Sequence, residues 1–271
     1  MSNISKFNQI CKDIKSIKIQ GAENIAKSAF KAYKLVPTKK SIKKLISLRP
    51  TEPMLFNILK KYTHLPNEEL TKNLEKNQEK INQEVFKLIK NNSVVFTHCH
   101  SSTVTKSLIY SHKKAKRFEV YNTETRPLFQ GRKTYQELKK AGIKTTMFID
   151  SAAQIALTSA QDKEEKTKPV SIMFIGADAI QKNGVINKVG SGMFAKIANI
   201  NKIPVYIVSD SLKYSKKKIQ FEQRSSKEIW NIKHASIKDP AFELIDKKDV
   251  TGIISELGNL SYDAFLKKVN S

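Results

Sequence analysis

The sequence predicts an α/β protein in which a helical N-terminal domain precedes a domain built on a parallel β-sheet. Through about the first ninety of the 271 residues, apolar side chains recur at the spacing of an α-helix. From Ser93 onward, short runs rich in β-branched and aromatic residues alternate with helical stretches, which is typical of parallel strands joined by crossover helices. We therefore predict a helical domain over residues 1–90 and a sheet domain over residues 91–271.

Prolines mark the ends of the helices predicted in the first domain. Pro37, Pro50 and Pro66 each border an amphipathic stretch, and a proline disfavours the helical conformation in the residue before it. Asn67, directly after Pro66, can cap the first turn of a long polar helix. The predicted helices span residues 13–36, 41–48 and 54–62, followed by the long helix that Asn67 caps.

Six runs in the second domain have the character of buried strands. Continuous apolar runs that alternate with helices favour a parallel sheet covered on both faces, in a Rossmann-like arrangement. Such a sheet binds its ligands at the carboxyl ends of its strands. Between the strands, helices are predicted at 103–112, 134–141, 152–160 and 193–200. The predicted strands are 94–97, 118–121, 146–149, 172–175, 205–208 and 251–254.

Composition and local patterns exclude several classes of protein. Cys11 and Cys99 are too few for a disulfide framework, and no cluster of cysteine and histidine has the spacing of a zinc site, so we expect a reducing, intracellular setting. No apolar run approaches the ~18 residues of a membrane-spanning helix, and the N-terminus lacks the apolar centre of a signal peptide. We predict a soluble cytoplasmic protein without membrane association. The chain has neither a G-x-G-x-x-G fingerprint nor a P-loop, so binding of a dinucleotide or of a nucleoside triphosphate loses support. We predict that the protein uses no metal and no organic cofactor.

The formal net charge of +24 comes almost entirely from lysine. Five of the 49 basic residues are arginine, and the lysines are spread along the chain rather than gathered on one element. Surfaces that bind nucleic acids usually rely on arginine for bidentate contacts and on aromatic side chains for stacking. A genome biased toward lysine accounts for this charge, and a diffuse attraction to RNA or to acidic partners is the alternative.

Polar segments follow the predicted strands. Because the carboxyl ends of parallel strands meet at one edge of a sheet, we expect these segments to converge on one site. The segments are 97–102, 123–131, 150–151, 176–180 and 187–190.

Two side chains in these segments are candidate acid–base groups. A thiol at Cys99 and a carboxylate at Asp178 form a credible proton-transfer pair beside a phosphate site. Ser101 and Ser102 open a predicted helix whose backbone amides can hold a phosphate, and Lys188 adds a positive charge for the same purpose. The alternative for each candidate is inert: a buried apolar cysteine, and an aspartate that caps a helix or accepts hydrogen bonds from loop amides.

Four motifs at the strand ends carry a resemblance to a known family: Thr97-His98-Cys99, Thr123-Glu124-Thr125-Arg126-Pro127 with Gln130-Gly131, Gly176-Ala177-Asp178-Ala179-Ile180 and Asn187-Lys188-Val189-Gly190. Three further matches, Gln20-Gly21-Ala22, Arg49-Pro50-Thr51 and Ser211-Leu212-Lys213-Tyr214, extend the resemblance over residues 14–258. Together these motifs resemble the family that joins the alpha, beta and delta subunits of translation initiation factor 2B to methylthioribose-1-phosphate isomerase and archaeal ribose-1,5-bisphosphate isomerase.

The resemblance implies a role for each matching residue. In the isomerases, the cysteine and the aspartate of these motifs form the acid–base pair, which corresponds to Cys99 and Asp178 here. The regulatory initiation-factor subunits generally lack this pair, so its presence favours catalysis. The positions that correspond to substrate contacts are Gln20, Gly21, Ala22, Arg49, Gln130, Asn187 and Lys188.

Two residues depart from the pattern of the isomerases. Gln20 stands where the isomerases have arginine, which removes a fixed positive charge from a phosphate site. His100 stands where they have asparagine, which places a titratable group beside Cys99. A protonated His100 would lower the pKa of the thiol, whereas a neutral His100 would fill space.

Two hypotheses follow from the resemblance. The first is an aldose–ketose isomerase of a phosphorylated ribose, most like the conversion of ribose 1,5-bisphosphate to ribulose 1,5-bisphosphate. In it, Cys99 would move the carbon proton and Asp178 would serve the oxygens. The second is a non-catalytic regulatory subunit that binds a sugar phosphate or nucleotide and has a translation initiation factor as its partner. The resemblance also implies a homo-oligomer, either a dimer or a hexamer, built through the C-terminal domain.

Overall fold

Five helices precede the first strand in the computed structural model of the protein. The structure describes residues 2–158, 167–219, 221, 224–232 and 236–271. The helices are α1 (Asn3–Lys15), α2 (Ala22–Leu35), α3 (Lys39–Leu48), α4 (Pro53–Lys61) and α5 (Asn67–Leu88). Each helix buries an apolar face, and these faces meet in one cluster that includes Ile14, Phe30, Leu45, Ile58 and Leu70.

The prediction of a single helix over residues 13–36 is wrong, because α1 and α2 are separated by residues 16–21. Within this break, Ile17 has a φ of 63° and Gly21 a φ of 84°, which lie in the left-handed region and interrupt a right-handed helix. The apolar faces of α1 and α2 nevertheless pack in the same cluster. Hydrophobic spacing therefore continues across the break and does not reveal it.

The remaining helices before the first strand lie where the sequence predicts them, except for one cap. The predicted helices at 41–48 and 54–62 correspond to α3 and α4. Helix α5 begins at Asn67, but Pro66 occupies its N-cap position. The prediction that Asn67 is the cap is wrong, because the extended backbone of Pro66, with φ −62° and ψ 156°, already turns the chain into the helix.

Among the described residues, ten strands form two sheets. They are β1 (Ser93–Thr97), β2 (Phe118–Thr123), β3 (Lys144–Phe148), β4 (Ile172–Ile175), β5 (Ala179–Gln181), β6 (Gly184–Lys188), β7 (Val205–Val208), β8 (Phe242–Asp246), β9 (Gly252–Ser255) and β10 (Gly258–Leu260). The larger sheet has the order β10-β9-β7-β4-β1-β2-β3, and its neighbours are parallel except β9 and β10. This mostly parallel sheet confirms the α/β class, and each of the six predicted strands overlaps one of its members.

The order of the larger sheet reverses between β1 and β4. From β1 the chain adds β2 and β3 on one side, and it then returns to add β4, β7 and β9 on the other. Apolar clusters cover both faces, with Phe96 and Met173 in one cluster and Val95 and Phe174 in the other. In open parallel sheets, ligands bind in the crevice at such a reversal, outside the carboxyl ends of the strands.

A second sheet, of antiparallel strands β5, β6 and β8, is missing from the sequence prediction. The prediction treats residues 176–190 as segments after a strand, whereas β5 and β6 pair within them as a hairpin. Strand β5 has three residues, which are too few for an alternating pattern to be recognised. The dipeptide Asn183-Gly184, a hairpin signal, is the feature of the sequence that points to this structure.

Helices cover both faces of the larger sheet. They are α6 (Ser102–Lys113), α7 (Gln130–Lys140), α8 (Ala153–Thr158), α9 (Ser191–Ile200) and α10 (Tyr262–Asn270). The first four match predicted helices, and α10 is not predicted. The predicted helix 152–160 extends past α8 to residues 159–160, which lie outside the described residues. Within the residues that the structure describes, no helix is long and apolar enough to cross a membrane.

Candidate functional site

A cavity of about 240 Å³ lies between the helical part of the chain and the point where the order of the larger sheet reverses. Its wall includes the turn after β1, the turn after β4, strand β6 and the segment that leads into α2. The structure brings together in this wall all nine residues that the sequence analysis selects: Gln20, Gly21, Ala22, Arg49, Cys99, Gln130, Asp178, Asn187 and Lys188.

Cys99 lies in the turn between β1 and α6, with its backbone in a left-handed conformation. Its φ is 64°, which is uncommon for a residue other than glycine. The Cys99 backbone N–H donates to Oγ1 of Thr125 at 3.1 Å, and Oγ1 of Thr134 donates to the Cys99 carbonyl at 2.8 Å. The side chain is half-buried and lines the cavity. The turn therefore presents the thiol to the cavity on a backbone that two threonine hydroxyls hold.

The thiol of Cys99 keeps its proton at neutral pH. Burial raises its pKa to about 12, the backbone N–H of His100 opposes this rise, and the negative charge of Asp178 adds to it. Lys188 lowers the pKa by a smaller amount. A neutral thiol in this setting is a proton donor, and it becomes a strong base once the proton has left.

Asp178 lies in the short turn that joins β4 to β5. Its backbone N–H donates to the carbonyl of Ile186 at 2.9 Å, which begins the β5–β6 hairpin. Gly176 allows this turn to approach the turn after β1, because a Cβ at position 176 would lie 2.6 Å from Cβ of Ser101. The two candidate acid–base groups therefore lie on adjacent turns at one end of the sheet.

Lys213 supports the turn that carries Asp178. Its buried Nζ donates to the carbonyl of Ala177 at 2.6 Å. Lys213 follows β7 in a loop whose Leu212 and Tyr214 carbonyls both accept hydrogen bonds from Asn57 of α4, at 2.7 and 2.9 Å. The sequence analysis includes this loop in the family resemblance but gives Lys213 no role. The position of Lys213 directly after a parallel strand is the feature of the sequence that indicates a role at the site.

Lys188 brings a buried positive charge into the cavity from the end of β6. Its side chain is 7% exposed, and within the part of the chain that the structure describes its ammonium group has no carboxylate or hydrogen-bond partner. The end of β6 is fixed by Asn187 Nδ2, which donates to Ser191 Oγ at 3.0 Å, and by Ser191 Oγ, which donates to the Lys188 carbonyl at 2.6 Å. A buried positive charge for which the described residues supply no partner favours an anionic ligand.

Gln130 and the start of α6 add groups that can bind a polar ligand. Gln130 is the first residue of α7, and its Oε1 is buried without a hydrogen-bond partner among the described residues. Ser101 caps α6 by accepting a hydrogen bond from the backbone N–H of Val104, and Ser102 begins the helix beside the cavity. The free amides at the N-terminus of a helix of 12 residues favour an anion such as phosphate.

The helical side of the cavity contains Arg49 and the segment before α2. Arg49 is buried, and its Nη2 lies 3.4 Å from Oε1 of the equally buried Glu52. Gly21 occupies the N-cap position of α2 with a φ of 84°, and the preceding Gln20 is exposed at the mouth of the cavity. Gln20 can therefore reach a ligand from the solvent side only.

His98 joins β1 to the end of the second sheet. Its Nε2–H donates to the Val189 carbonyl at 3.0 Å, so Nδ1 accepts from the hydroxyl of Thr123 at 2.5 Å. Burial lowers the pKa of His98 to about 4, so the ring is neutral. The sequence analysis gives His98 no separate role. The residues around His98 in the sequence do not show whether its ring binds a ligand or, as here, hydrogen-bonds to Thr123 and Val189. No group of three or more metal-ligating side chains is present among the described residues.

These features define an α/β protein with a polar cavity at the reversal point of its sheet. The family model named Initiation factor 2 subunit family matches residues 60–262, and the chain belongs to this family. The chain is 30% identical to ribose 1,5-bisphosphate isomerase of Methanocaldococcus jannaschii, over 95% of its own length and 92% of that protein. It is also 30% identical to 5-deoxyribose 1-phosphate isomerase of Petrotoga mobilis, over 96% of this chain and 89% of that one.

The fold agrees with that of a solved structure. The crystal structure of the Pyrococcus horikoshii OT3 translation initiation factor eIF-2B superimposes with a TM-score of 0.81, over 94% of this chain and 96% of that one, at 23% identity. At this level of identity the agreement concerns the fold. It extends over the helices before β1 as well as the sheet.

Proposed function

We propose that this protein is an aldose–ketose isomerase of a phosphorylated ribose, with ribose 1,5-bisphosphate as the first substrate to test. One observation supports this most strongly: Cys99, Asp178 and Lys188 line one cavity, and within the described part of the chain no partner is found for the Lys188 ammonium group. Proton transfer needs the first two groups, and a phosphorylated sugar needs the third. The relative from Methanocaldococcus jannaschii, similar over nearly the whole chain, has a name that states this reaction.

The first step of the proposed mechanism is opening of the sugar ring. The neutral Cys99 thiol donates its proton to the ring oxygen as the bond between that oxygen and C1 breaks, and the phosphorylated oxygen on C1 stabilises the resulting positive charge. The thiolate then takes the proton from C2, which leaves a double bond between C1 and C2 and regenerates the thiol. High basicity of the thiolate, expected from a pKa of about 12, favours this second transfer.

The second half forms the ketose. Cys99 donates its proton to C1, and the carboxylate of Asp178 accepts the proton of the hydroxyl on C2 as the carbonyl forms there. Proton transfer from Asp178 to the Cys99 thiolate then restores the starting state, so that the five proton transfers balance. In this scheme Cys99 serves both carbons and the ring oxygen, and Asp178 serves the C2 oxygen.

The substrate contacts of the proposal follow from charge and burial. Lys188 and the N-terminus of α6 bind phosphate, and Gln130 binds a sugar hydroxyl through its unsatisfied Oε1. Asn187 and Arg49 contribute further polar contacts from opposite sides of the cavity, and Gly21 and Ala22 allow close approach of the ligand. Gln20 contacts the exposed end of the ligand without adding charge. No metal and no organic cofactor takes part in this proposal.

The proposed domain division and assembly complete this interpretation. The proposed division is a helical domain (1–90) and a Rossmann-like domain (91–271). Helix α5 contributes Leu70 to the helical cluster and Ile81 to the cluster under the sheet, and it would connect the two domains. A dimer or hexamer is proposed on the family resemblance, and the mass of the assembly by light scattering tests it.

A regulatory subunit is the second candidate function, with a translation initiation factor as partner. One observation favours it: the cavity has Gln20 at its mouth where the family's isomerases have arginine. A regulatory subunit would bind the sugar phosphate without converting it, so turnover separates the two candidates.

Incubation with candidate substrates tests the proposed function. Purified protein is mixed separately with ribose 1,5-bisphosphate, 5-deoxyribose 1-phosphate and methylthioribose 1-phosphate, and ketose formation is followed by ³¹P NMR. We expect conversion of ribose 1,5-bisphosphate by wild type and by Cys11→Ala, in which the cysteine that does not line the cavity is changed. Binding of all three compounds with no ketose from any of them would favour the regulatory subunit instead.

A further inference from the structure

The backbone of Cys99 is held in an unfavourable conformation. Left-handed φ values cost free energy in residues that have a Cβ, so they persist where surrounding contacts impose them. Thr125, whose hydroxyl accepts from the Cys99 N–H, also has a φ of 64°. Its own backbone N–H donates to Oδ1 of Asp150 at 2.9 Å. The loop after β2 is therefore fixed independently and holds the Cys99 amide from one side.

A second hydroxyl holds the other side of the same residue. Thr134, on α7, donates from Oγ1 to the Cys99 carbonyl, and its side chain is 1% exposed. Two consecutive elements, the loop after β2 and helix α7, thus fix both the N–H and the carbonyl of Cys99. The mechanism above uses neither threonine.

His100 determines how the Thr134 hydroxyl is oriented. The hydroxyl has one hydrogen, which the Cys99 carbonyl accepts, so the 3.1 Å contact between His100 Nδ1 and Thr134 Oγ1 has the imidazole N–H as donor. This direction holds for neutral and for protonated His100, because Nδ1 carries its hydrogen in both states. An asparagine at this position, as in the isomerases, also has an N–H group that can donate to Thr134.

We propose that Thr134 and His100 are positioning residues that hold the left-handed turn of Cys99 and so direct its thiol toward the substrate. The kinetic part of this inference rests on the proposed function. Without the Thr134 donor, the Cys99 carbonyl loses its partner and the turn can relax toward an unstrained φ. The thiol would then move away from the reacting carbons and become more accessible to water.

Kinetics of variants at Thr134 test the positioning role. Thr134→Val keeps the shape of the side chain but removes the hydroxyl, and we expect kcat to fall by about tenfold or more with little change in KM, because misplacement of a reacting group affects the chemical step. Thr134→Ser, which restores the donor, should return kcat to near wild type. Thr145→Val is the matched control, since Thr145 Oγ1 also donates to a backbone carbonyl, that of Ile143 on the far edge of the sheet.

Alkylation of the thiol tests the same inference without substrate. With iodoacetamide at pH 8, we expect Cys99 of Thr134→Val to react about fivefold or more faster than in wild type, because loss of burial raises the thiolate fraction. Cys11, buried in the helical cluster, serves as the internal reference in the same mass spectrum. If wild type makes no ketose but this difference in alkylation is found, the proposed function is wrong and the positioning of Cys99 stands.

The His100 variants complete the test. We expect His100→Asn to keep wild-type kcat and alkylation rate, and His100→Leu, which has no donor, to shift both in the direction of Thr134→Val. The inference is overturned if Thr134→Val matches Thr145→Val in alkylation rate, or if its kcat falls only in proportion to a loss of folded protein measured by circular dichroism.

Discussion

The two walls of the cavity differ in how their charged groups are neutralised. On the helical wall, Arg49 pairs with Glu52, and Glu23 accepts hydrogen bonds from Lys27 at 2.6 Å and Lys106 at 3.2 Å. Burial alone would raise the pKa of Glu23, but these two lysines lower it. Each of these charged side chains on the helical wall therefore faces an opposite charge of the protein.

The sheet wall leaves its polar groups available. Lys188 has no partner among the described residues, Gln130 Oε1 is unsatisfied, and the Cys99 thiol keeps a proton that burial makes hard to lose. Groups that are costly to bury without partners persist where a ligand supplies the partner. The difference indicates that the sheet wall carries the chemistry and the phosphate, whereas the helical wall shapes and closes the cavity.

The largest expected effect comes from the thiol on the sheet wall. Cys99→Ser should lower turnover by about 10²- to 10⁴-fold, because a hydroxyl keeps the shape but is a far poorer acid and base near neutral pH. The dissociation constant for the sugar phosphate, measured by calorimetry, should stay near that of wild type. Turnover within a few-fold of wild type would mean that Cys99 does not carry the proton.

Lys188 tests whether the sheet wall binds the phosphate. Lys188→Ala should weaken binding of the phosphorylated sugar by roughly 1.5 to 3 kcal/mol, the range for a charge-assisted hydrogen bond in a partly dry site. Lys80→Ala, an exposed lysine on α5, is the control for general loss of charge. Equal dissociation constants for the two variants would assign the phosphate to other groups.

Gln20 tests the helical wall. Gln20→Arg adds the charge that the family's isomerases have, and a protein that binds without catalysis should gain up to ~2 kcal/mol in affinity from one new charged hydrogen bond. An isomerase that already binds its phosphate through the sheet wall should gain little. Titrations at two salt concentrations identify a real phosphate contact, which weakens as ionic strength rises. If affinity and salt dependence are both unchanged, Gln20 does not face the phosphate.

The pH dependence of stability at Asp210 tests the contact between the helices before β1 and the loop after β7. Its Oδ2 accepts a hydrogen bond from Asn77 of α5 at 2.9 Å, and burial, with the negative charge of Glu256, raises its pKa to about 6. Because the pKa is higher in the folded state than in the unfolded state, the protonated carboxyl stabilises the fold below about pH 4. This stabilisation is lost as the pH rises through about 6.

Comparison with Asp210→Asn isolates the contribution of Asp210 to the pH dependence of stability. Burial lowers the pKa values of His98 and His100 to about 4, so these two residues stabilise the fold as the pH rises. Their contribution is the same in both proteins and cancels in the comparison. From pH 4 to pH 7.5 we expect the free energy of unfolding to shift by about 1 to 3 kcal/mol in favour of the variant. Denaturant titrations at the two pH values measure it. Glu75→Gln, at an exposed site on α5, is the control; a shift of equal size there would remove Asp210 as the cause.

The parts of the fold that the sequence predicts are those with a strong local signal. Continuous apolar runs locate six strands of the larger sheet, and prolines locate the ends of α3 and α4. The break at residues 16–21 and the second sheet have no such local signal. The break follows from backbone angles at Ile17 and Gly21, and β8 pairs with β6 across more than fifty residues of chain.

The same distinction holds for the candidate site. The nine selected residues line one cavity for two reasons. The carboxyl ends of parallel strands meet at one edge of the sheet, and the matching motifs occupy equivalent places in a family with a common fold. Thr134 and Lys213 act on backbone carbonyls, those of Cys99 and Ala177. Contacts of this kind have no pattern in the sequence, since a carbonyl is present at every residue.

Conversion of labelled substrate tests the proposed isomerisation most directly. Ribose 1,5-bisphosphate labelled with ¹³C at C1 is mixed with stoichiometric protein, and proton-coupled ¹³C NMR reports how many hydrogens C1 carries. We expect the methine signal of C1 to be replaced by the methylene signal of a ketose with wild type, and to persist with Cys99→Ser. A methine signal that persists with wild-type protein, in a sample whose calorimetry confirms that the sugar is bound, would contradict proton transfer in this cavity.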